Sequence, residues 1–316
     1  MKNRVLLAIA LLLWSSQVDA GQLSNNWGLK ASNVPAAWAL ADGGKRIKVC
    51  VMDTGVDVTH PDLKDRICPS VRNGEYGWDF ILNQPNPADE MGHGTHVAGI
   101  IRATSPSACI IPVRWHGRHA SSDALAKNIV SSIYYCIKRG ADVINYSGGG
   151  RVEAEGERKA LEVATNHNIP VIVAAGNERL DLDVTPEYFP ASYRLPNVIA
   201  VAAVNQSDEL WSVSDWGLKT VQVAAPGVEI LSTLPGGQYG RMSGTSMATP
   251  VVTGIVAMIL SKHPSFTVAD VRAVILKSVT KLRDLKGKVT SGGKVNAKKA
   301  MIYAKELALQ KRNRKL

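Results

Sequence analysis

Gly244-Thr245-Ser246-Met247-Ala248-Thr249-Pro250 is a turn of small residues that runs straight into an apolar stretch, residues 251–260. A helix starting at or just after Ser246 would put that hydroxyl at a helix N-terminus. The first backbone N–H groups there lack partners, and the dipole favours negative charge. Such a place suits a nucleophile whose attack creates an oxyanion. It equally suits a serine that merely caps a buried helix. The heptapeptide leaves both readings open, and the rest of the chain must decide between them.

Working outward, apolar runs alternate with amphipathic ones. Residues 46–52, 110–115, 142–146, 170–175, 197–204 and 221–225 read as strands. Residues 122–139, 155–168 and 268–278, and a last stretch from Asn296, read as helices, as do one or two short segments within 26–41. Strands alternating with helices predict an α/β fold: a mostly parallel central sheet with helices on both faces. In such sheets function gathers beyond the carboxyl ends of the strands. Asp53, Ser147 and Asn177 all fall at predicted strand ends.

Three residues then stand out: Asp53 after a strand, His93 between glycines at a helix start, and Ser246. Each alone has a plain reading, as a turn residue, a helix-end residue and a cap. Together they meet a chemical need. Serine is a poor nucleophile until a base takes its proton; histidine is that base, and a carboxylate fixes its tautomer. An amide such as that of Asn177, with the N–H of Ser246, can hold the developing oxyanion.

The chain resembles the subtilisin-type serine peptidases. The matching segments are Val51-Met52-Asp53-Thr54-Gly55-Val56, His60-Pro61-Asp62-Leu63, Gly92-His93-Gly94-Thr95-His96-Val97-Ala98-Gly99, Ala174-Ala175-Gly176-Asn177-Glu178, Ala224-Ala225-Pro226-Gly227 and the heptapeptide itself. The order Asp, His, Ser is that of subtilisin. The resemblance implies that Asp53 orients the base, His93 is general base and acid, Ser246 is the nucleophile and Asn177 is the oxyanion donor. It implies structural roles for His60 and His96. Substrate would bind along Ser147, Gly148 and Gly149 on one side and Ala175, Gly176 and Glu178 on the other, with Glu178 facing the first pocket and favouring Lys or Arg. It also pairs Cys68 with Cys109 in a disulfide.

Departures from the family qualify this. Trp27-Gly28-Leu29-Lys30 already reads as the domain start, which leaves little room for a long folding pro-segment and invites a separate inhibitor or folding helper as partner. The helix after His96 runs on without the usual calcium loop, so that site reads as deleted, and no cofactor is required by the chemistry. Residues 83–90 offer Asn83, Asn86, Asp89 and Glu90; the plain reading is a polar loop, the alternative a calcium site. The substrate segment reads Ser147-Gly148-Gly149 where the family has Ser-Leu-Gly, losing an apolar wall. The opposing strand near Ala120-Ser121-Ser122 lacks the family's glycines.

Composition bounds the rest. Residues 1–20 have a basic start, an apolar core and small residues before Ala20, so they read as a signal peptide and the product as secreted, extracellular or periplasmic. Residues 21–304 then form one peptidase domain, and 305–316 a basic C-terminal tail. The net charge of +10 is uneven: residues 262–316 carry +12 and the rest −2. The plain reading of the basic tail is a solvated, frayed helix end, and the alternative is attraction to an anionic envelope surface; without interleaved aromatics, nucleic acid is not expected as a partner. Four cysteines allow three full pairings, and no C-x-x-C spacing suggests zinc. Cys50 in a strand and Cys136 in a helix are compatible with plain buried thiols. The leading function is an exported serine endopeptidase. The alternatives are a peptide ligase or cyclase on the same triad, and an inactive scaffold that binds peptides or the envelope.

Overall fold

The computed structural model describes residues 23, 26–69, 74–117, 122–184 and 188–314. The signal-peptide reading of residues 1–20, and Ala120 and Ser121 of the opposing strand, lie outside the described residues. Two short helices, α1 (Trp27–Ala31) and α2 (Pro35–Ala41), lead into strand β1 (Ile47–Asp53). The edge strands β2 (Trp78–Asp79) and β3 (Gln84–Pro85) come next. Then follow α3 (His93–Thr104), β4 (Ala108–Arg114), α4 (Ser122–Lys138) and β5 (Val143–Tyr146). After them come α5 (Glu157–Asn166), β6 (Val171–Ala174), β7 (Val198–Val204) and β8 (Val223–Pro226). A hairpin of β9 (Ile230–Leu234) and β10 (Gln238–Met242) leads to α6 (Thr245–Lys262) and α7 (Val268–Lys277). The described chain closes with β11 (Thr280–Lys281), β12 (Gly293–Lys294) and α8 (Ala297–Asn313).

The main sheet has the order β11-β12-β8-β7-β6-β5-β1-β4-β2-β3. It is parallel from β12 to β2, with antiparallel pairs only at its two edges. Its inner strands are buried on both sides, which is why they read as continuous apolar runs rather than alternating ones. The period of two still sorts their side chains. Ile47, Val49 and Val51 of β1 join a core with α2, α3, α6, α7 and α8. Cys50 and Met52 face the opposite way, into a second core with α4 and α5. The predicted α/β architecture with helices on both faces is the one observed.

Helix α6 is the keel of the first core. It is long and apolar enough to cross a membrane, yet 89 % of it is buried inside the protein. All-round hydrophobicity marks a helix enclosed on every side, so its hydropathy reports position in the core.

Two expectations need correction. Cys50 and Cys136 are not free thiols: they form a disulfide, alongside the expected Cys68–Cys109 bond. The reason is the strand alternation, which turns Cys50 towards the buried side of α4 where Cys136 lies. Nor do residues 305–313 stand off as a tail. They continue α8, whose Ala297, Ala300, Met301 and Ala304 are buried.

Candidate active site

The site is built where three chain segments leave the sheet and two of them turn into helices. Asp53 ends β1 and is buried. One of its oxygens, Oδ1, accepts the backbone N–H of Thr54 at 2.8 Å and the Nδ1–H of His93 at 2.7 Å. His93 begins α3 directly after Gly92, whose φ of +86° is a conformation that glycine adopts without strain. Asp89 fixes that helix start. Its carboxylate accepts from the N–H groups of Met91, Gly92 and Thr95 and from the hydroxyls of Thr54 and Thr95. Five chain donors on one carboxylate leave it poorly suited to a cation as well. Glu90, the second acid of that loop, pairs with the buried Arg114 at 2.7 Å.

Burial by itself would lower the His93 pKa, but the charge and hydrogen bond of Asp53, with the charge of Asp89 behind it, hold it above the ordinary value of 6.5. With Nδ1 donating to Asp53, Nε2 of the neutral ring is the bare, proton-accepting nitrogen. His96, one turn further into α3, differs. Burial and the neighbouring His93 push its pKa down to about 3, and its Nε2–H donates to the carbonyl of Gly240 at 3.1 Å. The Nδ1 of His60 accepts from the N–H of Asp62, and its Nε2–H donates to the carbonyl of Gln238 at 3.0 Å. Both therefore anchor β10, the structural role expected of them.

Ser246 occupies the first turn of α6. Its hydroxyl donates to the carbonyl of Ser147 at 2.9 Å, and the Ser147 hydroxyl donates to the carbonyl of Ser246, also at 2.9 Å. The second bond follows from the sequence. In a helix the carbonyl of residue 246 would accept from the N–H of residue 250, but Pro250 has none. The orphan carbonyl is satisfied from outside the helix. Behind Ser147 the chain of bonds continues: Asn145 Nδ2 donates to Ser147 Oγ at 2.9 Å, and Thr253 Oγ1 donates to Asn145 Oδ1 at 2.7 Å. Asn145 and Thr253 are fully buried. This strut ties the nucleophile candidate to the end of β5 and to the next turns of its own helix.

Asn177 lies past the end of β6. Its Oδ1 accepts from the Thr245 N–H at 2.9 Å and the Thr245 hydroxyl at 3.0 Å. The amide is thus oriented, and Nδ2 makes no hydrogen bond among the described residues. Asp215 shapes the loop that follows by accepting from the N–H groups of Glu178 and Leu180; burial raises the pKa of its carboxyl.

Both expected substrate-binding segments pass close to Tyr188. A Cβ on Gly149 would meet the Phe189 carbonyl at 2.3 Å and the Tyr188 ring at 2.6 Å, and one on Gly176 would meet the Asp215 carboxylate at 2.1 Å and stand 3.2 Å from the Tyr188 ring. Glu178 forms an ion pair with Arg151 at 2.9 Å, both partly exposed.

The structure thus joins Asp53 to His93, Asn177 to the start of α6, and Ser246 to Ser147. Among the described residues, Ser246 Oγ makes its hydrogen bond to Ser147 and none to His93. Reading the sequence missed Asn145, Thr253 and Arg151, and took Asp89 only as one of several loop oxygens. Of the helix-start features only Pro250 carried a signal, since a proline within an apolar helical run announces an unsatisfied carbonyl four residues earlier.

Comparison with known proteins shows the family. The Peptidase_S8 (subtilase) family profile matches residues 44–294. The chain is 37 % identical to thermitase of Thermoactinomyces vulgaris over 290 residues, 89 % of this chain and 97 % of that protein. It is 39 % identical to subtilisin E of Bacillus subtilis (strain 168) over 266 residues, 81 % of this chain and 66 % of that protein. Among solved structures, one described as a lanthipeptide protease superposes with a TM-score of 0.76 at 25 % identity, covering 88 % of this chain and 93 % of the other. The chain belongs to the subtilase family of serine endopeptidases, hydrolases that act on proteins or peptides.

Proposed function

We propose that the chain is an exported endopeptidase that cleaves through an acyl-enzyme on Ser246. His93 Nε2 takes the hydroxyl proton as Oγ attacks the substrate carbonyl carbon. Asp53 holds the ring through Nδ1–H and steadies the imidazolium that forms. The Asn177 Nδ2–H and the Ser246 N–H donate to the oxyanion. His93 then gives its proton to the departing amine, and water, activated by the same ring, resolves the ester. The observation that carries this reading is the 2.7 Å bond from His93 to the buried Asp53, because it dictates which ring nitrogen is free to act. No step requires a metal.

The substrate main chain would pair with Ser147, Gly148 and Gly149 as an added strand. The Tyr188 ring, 2.6 Å from where a Cβ on Gly149 would stand, would limit the depth of the first pocket. Glu178 at its rim would attract Lys or Arg only by exchanging its partner Arg151. The two disulfides support an oxidising destination, in keeping with residues 1–20 as a signal. Comparing cleavage after Arg, Phe and Ala tests the pocket; a preference for Phe would remove the depth limit from the reading.

Labelling of the chain from Gly21 with a fluorophosphonate tests the mechanism. Stoichiometric modification of Ser246, absent in Ser246→Ala, is the expected result. A folded chain that takes up no label, or takes it up equally without Ser246, overturns the assignment.

A further inference from the structure

Helix α8 has a second face that the peptidase chemistry does not use. Its buried side seats Ala297, Ala300, Met301 and Ala304 against the core, with Tyr303, Leu307 and Ala308 packed beside them. Alongside it lie Lys298, Ile302, Lys305, Leu309 and Arg312, spaced i, i+4, i+7, i+11 and i+14, all exposed. Residues at that spacing form one stripe, here about 21 Å long. Ile302 and Leu309 are 44 % and 50 % exposed, among the most open aliphatic side chains of the protein. Lys298, Lys305 and Arg312 form no ion pair among the described residues, whereas Lys311, on the inner side, is held by Asp270. The counter-charge on the flank of the stripe is Glu306. The helix belongs to the basic part of the chain: residues 262–316 carry +12 and the rest −2.

We propose that this stripe docks the protein on an anionic lipid surface. Cations alternating with aliphatic side chains on a helix already anchored in a folded domain match a headgroup layer, where charge is attracted and short apolar side chains sink past it. A polyanion such as nucleic acid would use the cations but has no place for Ile302 and Leu309, and the stripe offers no aromatic ring for stacking. The inference does not depend on the peptidase reading.

The test is sedimentation of the full chain, in a Ser246→Ala background to prevent self-digestion, with phosphatidylcholine vesicles and with vesicles that also contain phosphatidylglycerol. Binding should be confined to the anionic vesicles and weaken with salt. The triple change Lys298→Glu, Lys305→Glu, Arg312→Glu should reduce it roughly tenfold or more, as should Ile302→Ser with Leu309→Ser, while Lys298→Arg with Lys305→Arg keeps it. Thermal melts confirm that each variant is folded. Equal binding to neutral vesicles, indifference to the triple change, or a loss that appears with duplex DNA but not with vesicles would overturn the proposal.

Discussion

The two faces of the sheet are stabilised differently. On one, α3 and α6 carry His93 and Ser246 and are seated in the core by apolar packing and buried hydrogen bonds, without a disulfide. On the other, α4 and α5 cover a core that contains all four cysteines in two disulfides. That second core also encloses Glu157, buried beside Tyr146 and Tyr193. The lesson is a division of labour. Covalent cross-links sit where no reacting group rides on the helices, and the face that moves protons is held by packing and hydrogen bonds.

The largest expected effect breaks the catalytic face at Asp53. Asp53→Asn should lower kcat/KM by about 10⁴-fold. In the intact enzyme kcat/KM should rise with pH as His93 loses its proton, and its acid limb should lie above 6.5, since Asp53 holds the ring's pKa up. The residual activity of the variant should show that limb moved lower. A limb that stays put in a pH–rate profile would detach Asp53 from the base.

Next is Asn177→Ala, for which a loss of roughly 10²–10³ in kcat with KM little changed is expected. Steady-state kinetics on a chromogenic peptide decides this; a change in KM alone would make Asn177 a ground-state contact.

A pair of stability variants sharpens the contrast between faces. Ile255→Ala on α6 should destabilise by about 2–5 kcal/mol and also reduce turnover, because Ser246 rides on that helix. Cys50→Ala with Cys136→Ala should cost a similar 2–5 kcal/mol and leave kcat/KM of the remaining folded protein unchanged. Denaturant melts beside active-site titration separate the two. Equal loss of turnover in both would erase the division.

The smallest effect belongs to Glu157. Burial, outweighing the hydroxyls of Tyr193 and Tyr146, pushes its pKa up to about 7 from 4.5. Between those values the folded chain binds more protons than the unfolded one, so stability falls as pH rises through that window. Glu157→Gln should match the parent's melting temperature near pH 4.5 and exceed it by a few degrees at pH 8; melting curves with the same pH slope in both would refute this.

Much of this was legible in the sequence because the chemistry is local. Asp53 follows a strand, and His93 and Ser246 start helices, so motif and geometry coincide. The Cys68–Cys109 bond came with the resemblance to the family. The Cys50–Cys136 bond did not, because strand alternation gives the face a side chain takes but not the helix it meets there. Asp89 was read among loop oxygens, since nothing in the spacing showed that five donors would converge on it. Residues 305–313 were set apart from the domain by their charge, although a helix from Asn296 was expected; the Ala and Leu spacing carries α8 on to Asn313. Arg151 lies 27 residues before Glu178, a separation that no local pattern reports.

Helix α6 is both a buried element of the core and the mount of Ser246, and this limits how the protein can change over generations. A substitution anywhere along its buried length shifts the axis on which Ser246 is mounted, so any lineage adapting its core to heat or cold also retunes its nucleophile. The gap left by Pro250, bridged by Ser147, makes the first turn answerable to β5 as well. Variation that spares catalysis should therefore accumulate on α4, α5 and the outer side of α8, and a laboratory search for hardier forms would do well to begin there.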